Sequence, residues 1–325
     1  MSPPTYQVQD RSILLPYYRR ALIDPLLPRV PASVSPNSIT WAGQALLLLG
    51  VAALLAARPR QGPVFVFAAV TLQLYVWCDN ADGGHARRTG QCSPRGEFLD
   101  HGLDTLAVVQ IALLTALALG VTPAWCVALT LVIPTAATVT YWEQSHTGMF
   151  HLGLLNQIES TLLLSASLTM AAVYGDGVFA RIALAGVSLR DALCVWTVVQ
   201  IAVGIARGMR RVGAVDPAAF GSIAPLGAFD AAVALTAVTG AVPAWHAVAV
   251  GAAGNVFLGL RMLVCRLGHE RPTAEPLALV AAAALGLAAL APGRLPGAPL
   301  AVALAAVLAL AAIRDFREGL RRSAA

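Results

Sequence analysis

Ten apolar runs, separated by clusters of Pro, Gly and Arg, restrict this chain more than any motif does. They are Ile39 to Ala57, Pro63 to Trp77, Gly102 to Gly120, Pro123 to Trp142, Ser160 to Tyr174, Leu193 to Ala206, Ile223 to Val242, Trp245 to Leu263, Pro276 to Ala291 and Pro299 to Ile313. Each is roughly 15 to 20 residues long, close to what a helix needs to cross a hydrocarbon core of about 30 Å. With 58% hydrophobic and 12% charged residues and a mean hydropathy of +0.70, the chain lies outside the range of soluble globular domains. In lipid, backbone polar groups must be satisfied within the segment, so the expected fold class is all-α. The reading is a polytopic membrane helical bundle of about ten transmembrane helices.

All 22 basic residues are arginine, and they alternate unevenly between the gaps. With a cytoplasmic N-terminus, 17 fall on the cytoplasmic side and five, Arg58, Arg60, Arg181, Arg190 and Arg294, on the other. The asymmetry predicts that both termini are cytoplasmic, as an even number of crossings requires. Absence of Lys beside much Ala, Arg and Gly suggests a GC-rich genome, hence a bacterial inner membrane. The opening residues lack the basic and apolar pattern of a secretory leader, and none is expected. Five cysteines without paired spacing predict neither a disulfide framework nor a zinc site.

Before the first run, Arg11 to Val30 places Ile13, Leu14, Tyr17, Tyr18, Ala21, Leu22 and Leu26 at helical spacings, which reads as an interfacial amphipathic helix. That helix either guides a substrate or simply anchors the chain. The expected organisation is an N-terminal interfacial segment over 1–35, a six-helix catalytic core over 36–212 and four further transmembrane helices over 213–325.

Five of the 17 acidic residues lie between Asp79 and Asp104, where one apolar run ends and the next begins. The pattern is Asp79-x-x-Asp82-Gly83-x-x-Ala86-Arg87, eight residues, then Gly96-x-x-x-Asp100-x-x-x-Asp104. Spacings of three and four put Asp79 with Asp82 on one helix face, and Gly96, Asp100 and Asp104 on another. Gly90 and Ser93-Pro94 form a turn between them, so two antiparallel helices can face each other acid to acid. Carboxylates at membrane depth repel one another unless a positive charge sits between them. Oxygen-only ligands suit magnesium or manganese, and two such ions could clamp a pyrophosphate. Gly83 and Ala86 are small enough for a nucleotide to approach the backbone, and Arg87 could bind a phosphate.

These residues match the signature of the CDP-alcohol phosphotransferase superfamily without gap or substitution. The flanking text resembles its choline/ethanolamine phosphotransferase branch, through Pro36-Asn37-Ser38-Ile39-Thr40, Gly96-Glu97-Phe98-Leu99-Asp100-His101-Gly102 and Trp142-Glu143-Gln144-Ser145-His146-Thr147-Gly148. Ser145 departs from it, standing where the family commonly has Tyr. The resemblance implies that Asp79, Asp82, Asp100 and Asp104 hold two Mg2+ ions, with Mn2+ as a substitute, and that Asn37, Gly83, Ala86, Arg87 and Gly96 contact the nucleotide. It implies a base among His101, Glu97 and Asp104. His101 is the choice, because Glu97 lies one turn away and could orient its imidazole. The expected partners are a CDP-alcohol donor, the product CMP, a diacylglycerol-type acceptor and the membrane, with no nucleic acid; a homodimer is left open.

The expected reaction is therefore Mg-dependent transfer of phosphoethanolamine or phosphocholine from its CDP ester to diacylglycerol, releasing CMP. The alternative uses CDP-diacylglycerol as donor and a small polyol or its phosphate as acceptor. An ion transporter would account for buried acids and many spans, but not for Gly83, Ala86, Arg87 and Gly96 at fixed spacing. His85 reads as solvated or loosely packed. Glu143 reads either as a partner for an ammonium head group or as a hydrogen-bonded carboxylate at a helix end. Asp230 is a default site candidate that could equally pair with Arg207 or Arg210. Arg207, Arg210 and Arg211 read as span-flanking cations, and the indoles Trp41, Trp77, Trp125, Trp142 and Trp245 as interfacial anchors.

Overall fold

A computed structural model describes residues 7–57, 59–153, 156–268 and 270–323. Every expected apolar run lies on a helix: α1 (Pro36–Ala56), α2 (Gly62–Thr89), α3 (Pro94–Leu119), α4 (Pro123–Thr147), α5 (Gln157–Tyr174), α6 (Leu189–Val215), α7 (Phe220–Val238), α8 (Ala244–Leu267), α9 (Pro276–Leu290) and α10 (Gly297–Arg322). Among the described residues, eight helices are long and apolar enough to cross a membrane. The two remaining runs fall on α5 and on the 15-residue α9. At 1.5 Å per residue, α9 extends only about 22 Å, short of the usual hydrocarbon thickness. The chain is a multi-pass helical bundle.

Its boundaries follow from short local signals. Ser35, Ser93 and Thr122 each accept a backbone N–H of the first turn, and a proline follows each at the first helical position. Asn156 and Glu159 form a reciprocal capping box at the start of α5. Gly90, at φ 71°, ends α2 in the left-handed region that a Cβ disfavours.

Two apolar clusters fill the interior. One joins α1, α2, part of α3 and α5, with Phe65, Leu72, Leu114 and Leu168 fully or almost fully enclosed. The other joins α4 with α6, α7, α8, α9 and α10, around Trp142, Phe229 and Phe257. Helices α1 and α2 approach closely: a Cβ on Gly43 would lie 2.8 Å from Cys78 Cβ. Ion pairs tie the loops together at opposite ends. Arg60 meets Asp176 at 3.0 Å at one end, while Arg266 meets Glu97 at 2.6 Å and Arg322 meets Glu270 at 2.9 Å at the other. This is the alternation expected of successive antiparallel crossings.

The segment before α1 is helical from Leu15 to Arg29 but broken into α, π and 3-10 turns, in keeping with Pro16, Pro25 and Pro28. Tyr18 and Ile23 face inward, whereas Ile13, Tyr17 and Leu22 are exposed. Ile23, outside the expected apolar set, is the most enclosed residue of the segment. Ahead of it, β1 (Gln7–Asp10) pairs in parallel with β2 (Met149–Leu152). Glu159 Oε1 holds the connection, accepting from Ser12 Oγ and from the N–H groups of Ile13 and Leu14 at 2.7 to 2.9 Å. Burial, with Cys78 and Asp79 nearby, pushes the Tyr18 phenol up to about 12, so it stays neutral near pH 7.

Candidate metal and catalytic site

Asp79 on α2 and Asp100 and Asp104 on α3 converge so that one carboxylate oxygen of each lies within 4.8 Å of the others. Thr40, Gly43, Gln44, Tyr75 and Leu103 complete a cavity of about 10 Å3 around Asp79, Asp100 and Asp104. That is room for one water-sized occupant. The contacts on the three carboxylates are mostly neutral. Asp79 accepts from Gln157 Nε2 at 2.8 Å, and Asp104 from the Tyr75 hydroxyl at 3.4 Å. No Lys or Arg ion pair reaches any of the three among the described residues. Three like charges in an all-oxygen shell with ion-sized space fit a hard divalent cation.

Asp82, the fourth expected ligand, lies outside this close-set triple and is held by hydrogen bonds of its own. It accepts from Thr40 Oγ1 at 2.6 Å and from the Gly83 N–H at 2.5 Å, and is 4% exposed. Thr40 thus links the Pro36-Asn37 start of α1 to the acidic end of α2. A Cβ on Gly96 would come within 3.3 Å of Asn37 Oδ1, so the expected nucleotide residues of α1 and α3 are neighbours. Ala86 is buried. Arg87 is exposed, with its Nη1 3.4 Å from where a Cβ on Gly83 would stand. It has no hydrogen-bond partner among the described residues.

His101 lies beside Asp104, with Nδ1 3.8 Å from Asp104 Oδ2. Its ring stacks on Phe150 of β2 at 6.1 Å and tilts against Tyr141 at 6.2 Å. Glu97, expected to orient His101, is instead held by Arg266 Nη2 at 2.6 Å on the exposed rim.

Several other readings change. His85 is neither solvated nor loose: it is fully buried, with Nε2 2.8 Å from Val34 O and Nδ1 3.0 Å from Arg88 Nη2, pinning the loop before α1. Glu143 keeps the second of its two readings, a hydrogen-bonded carboxylate near a helix end: it is buried and held by Arg211, whose Nη2 donates at 2.8 Å, with His151 Nδ1 2.7 Å away. Arg211 is therefore more than a flanking cation. Asp230 pairs with neither Arg207 nor Arg210 but accepts from Thr135 at 2.5 Å and Asn255 at 2.9 Å. Trp142 is a core residue rather than an interfacial anchor, donating to Ser222 Oγ at 2.9 Å. Tyr75, Thr40, Gln44, Gln157 and Phe150, outside the expected set, also touch the acids, their cavity or His101. Tyr75 and Gln44 carry a usable signal, as polar groups one turn from Asp79 and Thr40 within apolar runs. Gln157 and Phe150 carry none, because they arrive from another helix and a strand.

Fold and site together define a multi-pass membrane protein with an acidic, cation-sized pocket among three helices. The chain belongs to the CDP-alcohol phosphatidyltransferase family, whose model matches residues 33–203, just over half its length. A CDP-diacylglycerol--serine O-phosphatidyltransferase of Encephalitozoon cuniculi is 33% identical over 153 residues, covering 45% of this chain and 40% of that protein. Cholinephosphotransferase 1 of Gallus gallus is 30% identical over 197 residues, covering 57% of each chain. The Homo sapiens cholinephosphotransferase 1 is 30% identical over 157 residues, covering 46% of this chain and 39% of that protein. The chain spans about half the length of the curated relatives it matches.

Proposed function

We propose that this chain transfers a phosphoalcohol, phosphoethanolamine or phosphocholine, from its CDP ester to the hydroxyl of a diacylglycerol-type lipid, releasing CMP. The observation that carries this reading is the convergence of Asp79, Asp100 and Asp104 on a space for one ion, inside the segment that matches the family. Those three would hold Mg2+, with Asp82 at hand for a second ion. Bound there, divalent cations neutralise the pyrophosphate and make its phosphorus more electrophilic.

The other roles belong to the chain's own side chains. Arg87, over Gly83, is available to a phosphate of the nucleotide, and Asn37 beside Gly96 lines its approach. Asp104 faces His101 Nδ1, and its charge favours a proton there, which leaves Nε2 to accept the proton of the lipid hydroxyl. As that proton moves to Nε2, the lipid oxygen bonds to the β-phosphorus and the bridging oxygen departs with CMP. The neighbourhood thus favours Asp104 over Glu97 as the group that orients the base.

The test incubates purified protein in detergent with Mg2+, diacylglycerol and a panel of CDP-alcohols, then measures CMP and identifies the lipid. CMP release that requires both a CDP-alcohol and diacylglycerol supports the reading. The relative from Encephalitozoon cuniculi favours a second reading, with CDP-diacylglycerol as donor. Turnover of CDP-diacylglycerol with a small hydroxyl acceptor, and none with CDP-alcohols, would establish it instead.

The arginine asymmetry supports cytoplasmic placement of both termini and of the acidic site, and the composition supports a bacterial inner membrane. In a background without Cys92, Arg321→Cys should react with an impermeant thiol reagent only from the cytoplasmic side, and Gln61→Cys only from the opposite side. Reversed labelling would place the site on the wrong face for a nucleotide donor made in the cytoplasm.

A further inference from the structure

Beneath the three carboxylates lies a polar pair that the acidic motif does not include. Gln44 on α1 and Gln110 on α3 are 6% and 4% exposed, and Gln44 Nε2 donates to Gln110 Oε1 at 2.9 Å. Gln44 lines the same cavity as Asp79, Asp100 and Asp104. Its amide oxygen is fully enclosed and has no hydrogen-bond partner. A buried carbonyl without a donor is costly, and such groups persist where an occupant satisfies them. Gln110 commits the nitrogen end of the amide, so the oxygen is the end left for whatever fills the cavity.

We propose that Gln44 is a fourth oxygen ligand of the cation site, binding the metal ion or accepting from a water on it, with Gln110 as its positioning residue. The carboxylates supply charge, while a neutral amide oxygen adds a donor without adding repulsion among three acids. Gln110 sits six residues beyond Asp104 and sets the amide's orientation from below, as outer partners of metal ligands commonly do. The bland reading of the same pair is interhelical glue between α1 and α3. Glue predicts that removing the amide lowers stability and leaves cation affinity alone.

This inference rests on the proposed cation site, and the experiment separates the two. Mn2+ binding to the full-length protein in detergent, without nucleotide or lipid, is followed by electron paramagnetic resonance, together with thermal unfolding. Gln44→Met keeps the volume and removes the amide, and should weaken Mn2+ binding by on the order of 10-fold, the lower end for losing an outer partner. Gln110→Met should weaken it less. Gln44→Glu restores an oxygen and should bind within about threefold of the parent, or more tightly, a rescue that mere packing would not give. Should Gln44→Met fold poorly, the Gln110→Met and Gln44→Glu pair decides the matter. Unchanged Mn2+ affinity in Gln44→Met, whether or not its unfolding temperature falls, or in Gln110→Met alongside loss of binding in Gln44→Glu, overturns the proposal. If the parent protein binds no Mn2+, the cation site itself fails first.

Discussion

Asp79, Asp100 and Asp104 in one packed region and Glu143, Asp230 and Asp315 in the other are all carboxylates within apolar helices, yet their surroundings differ in kind. Each member of the second group has its charge or its lone pairs answered by the protein. Glu143 has Arg211 and His151, Asp230 has Thr135 and Asn255, and Asp315 accepts from Arg314 at 3.0 Å with Arg261 at 3.9 Å. Among the described residues the first group accepts side-chain hydrogen bonds from Gln157 and Tyr75, and its members face each other. A buried charge persists if paired, so partnered acids hold helices together, whereas convergent acids without such partners have the charge and oxygen atoms that suit a divalent cation. Placement on apolar helices does not separate the two groups. The partners do.

The largest effect should come from Asp100→Asn, which keeps the shape and removes one converging charge. Transfer should fall nearly to background at limiting Mg2+, and Mn2+ affinity should drop with it. Ordinary turnover with unchanged affinity would remove Asp100 from the site and collapse the contrast. His101→Ala comes next: turnover should fall on the order of 100-fold or more, the usual scale for a general base, with Mn2+ binding retained. Near-normal turnover would pass the base role to Asp104 or Glu97.

On the partnered side, Arg211→Met strands Glu143 and should cost about 2 kcal/mol in unfolding free energy, below the figure for a fully enclosed pair because Arg211 reaches the surface. Thermal unfolding checks it, and an unchanged midpoint would mean that the pair contributes nothing net. The smallest effect belongs to Asp230→Asn, in which the replacement still offers an oxygen to Thr135. Stability should change by less than about 1 kcal/mol and turnover should stay near that of the parent. A loss of turnover like that of Asp100→Asn would make Asp230 functional and erase the distinction between the regions.

Much of the architecture was legible because its causes are local. Apolar run length positions the helices, Ser or Thr before Pro starts them, and Gly90 ends one, none of which needs a distant residue. The acidic spacing likewise put Asp79, Asp100 and Asp104 on faces that could meet. What could not be read was which atoms complete each contact. Asp82 turns to Thr40, 42 residues earlier, and Glu97 to Arg266, 169 residues later. His101 gains Phe150 from a strand whose partner is β1, near the N-terminus.

The sequence by itself determined that this chain is a bundle of membrane-length helices with an acidic cluster spaced for a divalent cation, because helix period and hydrophobic length are set residue by residue. Only the tertiary structure decided that three aspartates converge while the fourth bonds to Thr40, that Glu143 and Asp230 are answered by partners, and that Gln44 presents an unclaimed oxygen beneath the acids. Those outcomes depend on how far each helix is rotated about its axis and how closely its neighbours approach. Both are set by packing across the whole bundle, where a small rotation decides which side chain meets which.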